Sequence, residues 1–145
     1  MLHIINSLND PLCSLVGDDP VRSEIPLEFR VSAHSEIIVL QDSYSKPTAV
    51  VCVLYRDSVP HSQQQLLEYA SYAPSVAVFY TIWSYQSGAG KQLIVSARRD
   101  IQTRRPNIVK YVTLSPQTEM ARVFHLRNGA NVLSINEDSI NYQYD

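Results

Sequence analysis

The pentapeptide Ser87-Gly88-Ala89-Gly90-Lys91 stands between two stretches of opposite character. Before it, Val76 to Ile82 is a continuous apolar run with the length and composition of a strand. After it, Leu93, Ile94, Ala97 and Ile101 recur at helical spacing, predicting a helix of about four turns. That helix runs to about Arg105, where Pro106 stops it. Glycines at such a turn let backbone N–H groups approach an anion, and the helix N-terminus adds a favourable dipole. Read alone, the loop fits a plain strand-to-helix turn as well as it fits an anion site.

The rest of the chain alternates in the same manner. Leu2 to Ile5 reads as a short strand. Asn9 or Asp10 caps a short helix with Pro11 in its first turn, ending near Gly17. A second short helix is expected over Pro26 to Ala33. Strands follow at Glu36 to Leu40 and Ala49 to Tyr55, the latter too apolar to have a wet face. His61 to Tyr72 reads as a helix, Ile108 to Leu114 as a fifth strand, and Pro116 and Thr118 open a helix closed by Asn128-Gly129. Asn131 to Ile135 and Ile140 to Tyr144 form a closing hairpin. This order predicts an α/β or α+β fold, a mixed sheet flanked by helices.

A chain of 145 residues with 45% hydrophobic and 18% charged residues is expected to form one domain, residues 1–145, around a core that needs no metal or crosslink. The cysteines, Cys13 and Cys52, are too few for a disulfide framework or zinc site. Neither a signal peptide nor a membrane-length apolar run is present, so a cytoplasmic setting is expected. A net charge of −2 argues against a nucleic-acid or membrane partner. The charge is uneven, however. Residues 91–130 hold eight bases against two acids, a net +6 that would draw a polyanionic ligand.

A Walker phosphate loop fails here because Tyr85 occupies its first glycine position and Gln92 replaces the hydroxyl that holds magnesium. The dinucleotide fingerprint lacks its third glycine. The segment resembles instead the pyrophosphate loop of the GNAT N-acetyltransferases, (Q/R)-x-x-G-x-(G/A). Gly88 and Gly90 match, Leu93-Ile94 match the apolar pair that follows, and the first position departs, with Tyr85 there and Gln86 one place late. Thr118 to Ala130, TEMARVFHLRNGA, is similar to that family's later helix, N-x-x-A-x-x-L-Y-x-x-x-G-F. Ala121 and Gly129 match, Phe124 fills the Leu position, and Thr118, His125 and Ala130 replace Asn, Tyr and Phe.

The resemblance implies an acyl-CoA N-acyltransferase-like fold, with a mostly antiparallel sheet, and acetyl-CoA as co-substrate. It places the coenzyme on Tyr85, Gln86, Ser87, Gly88, Ala89, Gly90 and Lys91, with the pantetheine arm along Tyr80 to Ile82. In the family an amine attacks the thioester and a Tyr protonates the departing thiolate. By position that acid is His125, whose ordinary pKa near 6.5 suits the task, with Tyr80 and Tyr111 as substitutes. No base is assigned, since Val76 to Ile82 carries no carboxylate and Glu36 and Asp57 are expected to be solvated. The implied activity is acetyl transfer to a small-molecule or protein amine, in a chain with room to form a homodimer. The competing functions are a non-catalytic coenzyme- or protein-binding module of the same fold and, on the strength of Arg98, Arg99, Arg104 and Arg105, a basic nucleic-acid-binding domain.

Overall fold

The computed structural model describes residues 1–145 and places all seven strands in one twisted sheet. The strands are β1 (Leu2–Ile5), β2 (Ser35–Gln41), β3 (Pro47–Arg56), β4 (Val76–Ser84), β5 (Lys110–Thr113), β6 (Asn131–Ile135) and β7 (Ile140–Tyr144). Their order is β1-β2-β3-β4-β5-β7-β6. Every neighbouring pair is antiparallel except β4 and β5, which run parallel. The helices are α1 (Leu27–Arg30), α2 (Gln63–Glu68), α3 (Ala89–Arg104) and α4 (Glu119–Arg127), with a 3-10 helix at Pro11–Asp18. None is long and apolar enough to cross a membrane.

Alternation along β3 divides the core. Ala49, Val51, Val53 and Tyr55 face one side, packed with Leu93, Ile94, Ala97 and Ile101 of α3. Val50, Cys52 and Leu54 face the other, with Ile25, Val31 and Leu66. Both faces of the central strands are therefore covered, as the unbroken apolar runs require. Cys52 is fully buried, and that burial pushes its thiol up to about 11.

Two helices are shorter than their sequence patterns predict. α1 stops at Arg30 because Val31 is extended and Ser32 forms a bridge with Ser35. α2 ends at Glu68 because the Arg56 guanidinium takes the Leu66 carbonyl (Nε to O, 2.8 Å) and Ser71. The caps fall where the sequence put them. Asp10 accepts from Leu12 N–H at 2.9 Å, Thr118 accepts from Ala121 N–H at 3.2 Å, and Gly129 closes α4 at φ 97°.

Candidate active site

The site begins with a fault in β4. Residues Thr81 and Phe79 pair with Cys52 and Val53 of β3, which leaves Tyr80 as an extra residue without a partner. Alternation slips at this bulge. Phe79 and Ile82 both pack towards α3, whereas Tyr80 and Trp83 both belong to the opposite cluster. A bulge bends its strand and increases twist, and here the parallel pairing with β5 ends. The last β4–β5 hydrogen bond is Leu114 N–H to the Phe79 carbonyl, 3.2 Å. Beyond it, β4 and β5 diverge.

One side chain bridges the divergence. Arg22 donates Nε–H to the Tyr80 carbonyl and an Nη2 hydrogen to the Leu114 carbonyl, both at 2.8 Å, and its third nitrogen reaches Gln63 at 2.8 Å. Asp19 holds the turn before it, accepting from the N–H groups of Val21 and Arg22, from the Thr81 hydroxyl and from Arg30. Neither residue was identifiable from sequence. Arg22 lies 58 and 92 residues from its two carbonyl partners, so no local pattern marks it.

The opened strands enclose a cavity of about 670 Å³. Pro20 and Val21 line it with Phe79 to Ser84 of β4, Gly90 of α3, Leu114 to Pro116, and Thr118, Met120, Ala121, Phe124 and His125. A smaller hollow of about 270 Å³ adjoins the N-terminus of α3, lined by Leu40, Gln41, Asp42, Thr48, Gln86, Ser87, Gly88, Ala89 and Gln92.

The α3 turn leaves backbone donors free. Gly88 takes φ 81°, a left-handed conformation that side-chain-bearing residues seldom adopt. The N–H groups of Gly88, Gly90 and Lys91 have no acceptor within the chain, while that of Ala89 bonds the Gln86 carbonyl at 3.3 Å. Gly90 also allows α4 to approach. A Cβ there would stand 3.1 Å from the Phe124 ring. The free N–H groups and the adjoining cavity fit a pyrophosphate attached to an extended arm.

Of the residues named from sequence, Ile82, Gly90 and His125 line the large cavity, and Gln86, Ser87, Gly88 and Ala89 line the smaller one. Lys91 is exposed on the first turn of α3. Tyr80 contributes to the cavity wall, but its ring is buried in the opposite cluster beside Cys52. Tyr85 turns away from the cradle: its hydroxyl donates to Asp18 at 2.7 Å and accepts from Trp83 at 3.0 Å. Tyr111 bonds the Ile108 carbonyl at 3.3 Å, and Tyr80 and Tyr111 therefore both lack a hydroxyl aimed into the cleft. Glu36, expected to be solvated, is buried and holds Tyr55, Arg104 and Arg105.

His125 is not placed as an acid. Its ring stacks on Tyr142 at 5.0 Å and is 4% exposed. Burial lowers its pKa to about 4, so at neutral pH it carries no surplus proton for a thiolate. Nδ1 lies 2.7 Å from the Tyr144 hydroxyl, which has no other acceptor. That hydroxyl satisfies its hydrogen only by donating to Nδ1. The neutral ring then carries its hydrogen on Nε2, an atom with no partner in the chain, on a residue that lines the cavity. His125 is thus a neutral hydrogen-bond donor.

No protein-family profile matches the chain, and no curated protein matches it in sequence. Solved structures do match in shape. Malonyl-CoA decarboxylase from Cupriavidus metallidurans superposes with TM-score 0.75 at 17% identity, covering 99% of this chain and 60% of that one. The Agrobacterium vitis malonyl-CoA decarboxylase gives 0.68 at 22%, covering 88% and 36%. The chain thus spans about a third to three fifths of these decarboxylases. The PaiA N-acetyltransferase from Thermoplasma acidophilum, in complex with coenzyme A, gives 0.61 at 10% identity and covers 100% and 99%. The chain has the fold of the GNAT acyl-CoA N-acyltransferases. The mixed, mostly antiparallel sheet expected from its sequence is present.

Proposed function

We propose that this protein binds an acyl-coenzyme A, with acetyl-CoA the expected form, and transfers its acyl group to an amine. One observation carries the reading: three unbonded N–H groups cluster at the α3 N-terminus, where Gly90 lines the cavity opened by the splay of β4 from β5 and Gly88 lines the smaller hollow. Gly88, Gly90 and Lys91 would hold the pyrophosphate, and Lys91 adds a positive charge at the same helix end. The edge of β4 that loses its β5 neighbour, from Tyr80 to Ile82, would pair with the amides of the pantetheine arm. In the reaction an N–C bond forms, the thioester C–S bond breaks, and the amine proton ends on the thiol. His125 would donate Nε2–H to the thioester oxygen as charge builds there, a task that needs a neutral donor rather than an acid. The test is turnover of acetyl-CoA with an amine panel, read as thiol release, in the parent protein and in His125→Ala. Loss of turnover with unchanged coenzyme affinity supports the assignment.

A second reading is loss of carbon dioxide from a carboxylated acyl-CoA, the activity named for two of the similar structures. It is favoured by the absence of any Asp, Glu, Lys or Arg side chain from the cavity lining. An uncharged wall solvates a carboxylate poorly, and a neutral N–H can stabilise the enolate left behind. Conversion of malonyl-CoA to acetyl-CoA without added amine would select it. Tight coenzyme binding with neither reaction would mark a non-catalytic binding module.

A further inference from the structure

If the site transfers acyl groups to amines, its walls restrict which amine it accepts. The cavity of about 670 Å³ has no carboxylate in its lining. The carboxylates next in sequence to lining residues are already engaged. Asp19 is buried and accepts four hydrogen bonds, from the Val21 and Arg22 N–H groups, the Thr81 hydroxyl and the Arg30 guanidinium. Arg22 is balanced by Glu24, reached through Gln63, and by Asp19, and its guanidinium bonds the carbonyls of Tyr80 and Leu114, both wall residues. Glu119 is exposed and paired with Arg122 at 3.3 Å. The Thr81 and Ser115 hydroxyls donate to Asp19 and Thr113. His125, held neutral with its hydrogen on Nε2, donates rather than accepts.

An ammonium entering this space meets no counter-charge and no group that can take its proton. The cost of such burial is severe. A lysine-type amine, with pKa about 10.4, is neutral in fewer than about one molecule in a thousand at pH 7. The wall does suit a planar apolar body, because Phe79, Phe124 and Met120 are among its lining residues.

We infer that the acceptor is a weakly basic amine of the arylamine type, already neutral at physiological pH, and not an alkylammonium such as a lysine side chain or a polyamine. This rests on the acyl-transfer reading. The nitrogen arrives with its lone pair free, forms the N–C bond as the C–S bond breaks, and passes one proton to the departing sulfur, so no side-chain base is needed.

The test compares two amines of nearly equal size, aniline and cyclohexylamine, with acetyl-CoA at pH 7.5, read as thiol release and as amide product. Acetyl-CoA binding is measured separately by calorimetry. Turnover of aniline that exceeds cyclohexylamine by about a hundredfold or more in kcat/KM is the expected result. Comparable or faster turnover of cyclohexylamine overturns the inference while leaving acyl transfer standing. Binding of acetyl-CoA with turnover of neither amine also overturns it. Failure of acetyl-CoA to bind removes the underlying reading itself.

Discussion

At the scale of single residues, His125 and Arg22 shape the site. The buried imidazole should titrate with a midpoint near 4, observable as the ring proton shifts in an NMR pH series; a midpoint near 6.5 would restore it as an acid. The unfolded chain binds this proton at higher pH than the folded one. The stabilisation from His125 is therefore complete above about pH 6.5 and is lost as pH falls towards 4, on the order of 3 kcal/mol in all. A His125→Gln variant should show a flatter stability profile across that window. Tyr144→Phe should cost about 1 kcal/mol and release the tautomer, seen as converging Nδ1 and Nε2 nitrogen shifts. Arg22→Ala should cost about 3 kcal/mol in urea denaturation, because it strands the buried carbonyls of Tyr80 and Leu114. Arg22→Lys should recover only part of this, since an ammonium cannot reach both carbonyls in the plane of a guanidinium.

At the scale of elements, the α3 turn is where sequence and structure agree most closely, and the reason is local. Gly88 needs a positive φ and Gly90 a missing Cβ, requirements that a short glycine pattern announces by itself. Gly88→Val should force a β-branched residue into a left-handed conformation and lower coenzyme affinity by about tenfold or more, measured by calorimetry. Gly90→Leu should displace Phe124 and give a similar loss; retention of full affinity by both variants would remove the cradle. Helix lengths were less legible. α2 is cut short by Arg56, whose claim on the Leu66 carbonyl reflects tertiary packing, not propensity. Tyr85 was misdirected for a similar reason, since its partner Asp18 lies 67 residues away. The bulge at Tyr80 left no mark in the apolar run that contains it, although it opens the whole cleft.

At the scale of the molecule, the uneven charge acts in two ways. Part of the basic surplus of residues 91–130 is used internally: Arg104 and Arg105 cross to Glu36, and Arg122 pairs with Glu119. Lys91, Arg98 and Arg99 of α3, Lys110 of β5 and Arg127 of α4 have no carboxylate within 4.0 Å and leave a positive field over these elements. Coenzyme affinity should therefore weaken as ionic strength rises, and Lys91→Gln should weaken it a few-fold at low salt. The most direct measurement is a calorimetric titration of the protein with acetyl-CoA, repeated with Gly88→Val after confirming that the variant is folded. One saturable site with a Kd on the order of micromolar in the parent, and marked weakening in the variant, is the expected result. Absence of binding at millimolar acetyl-CoA, or equal affinity in both proteins, would contradict it.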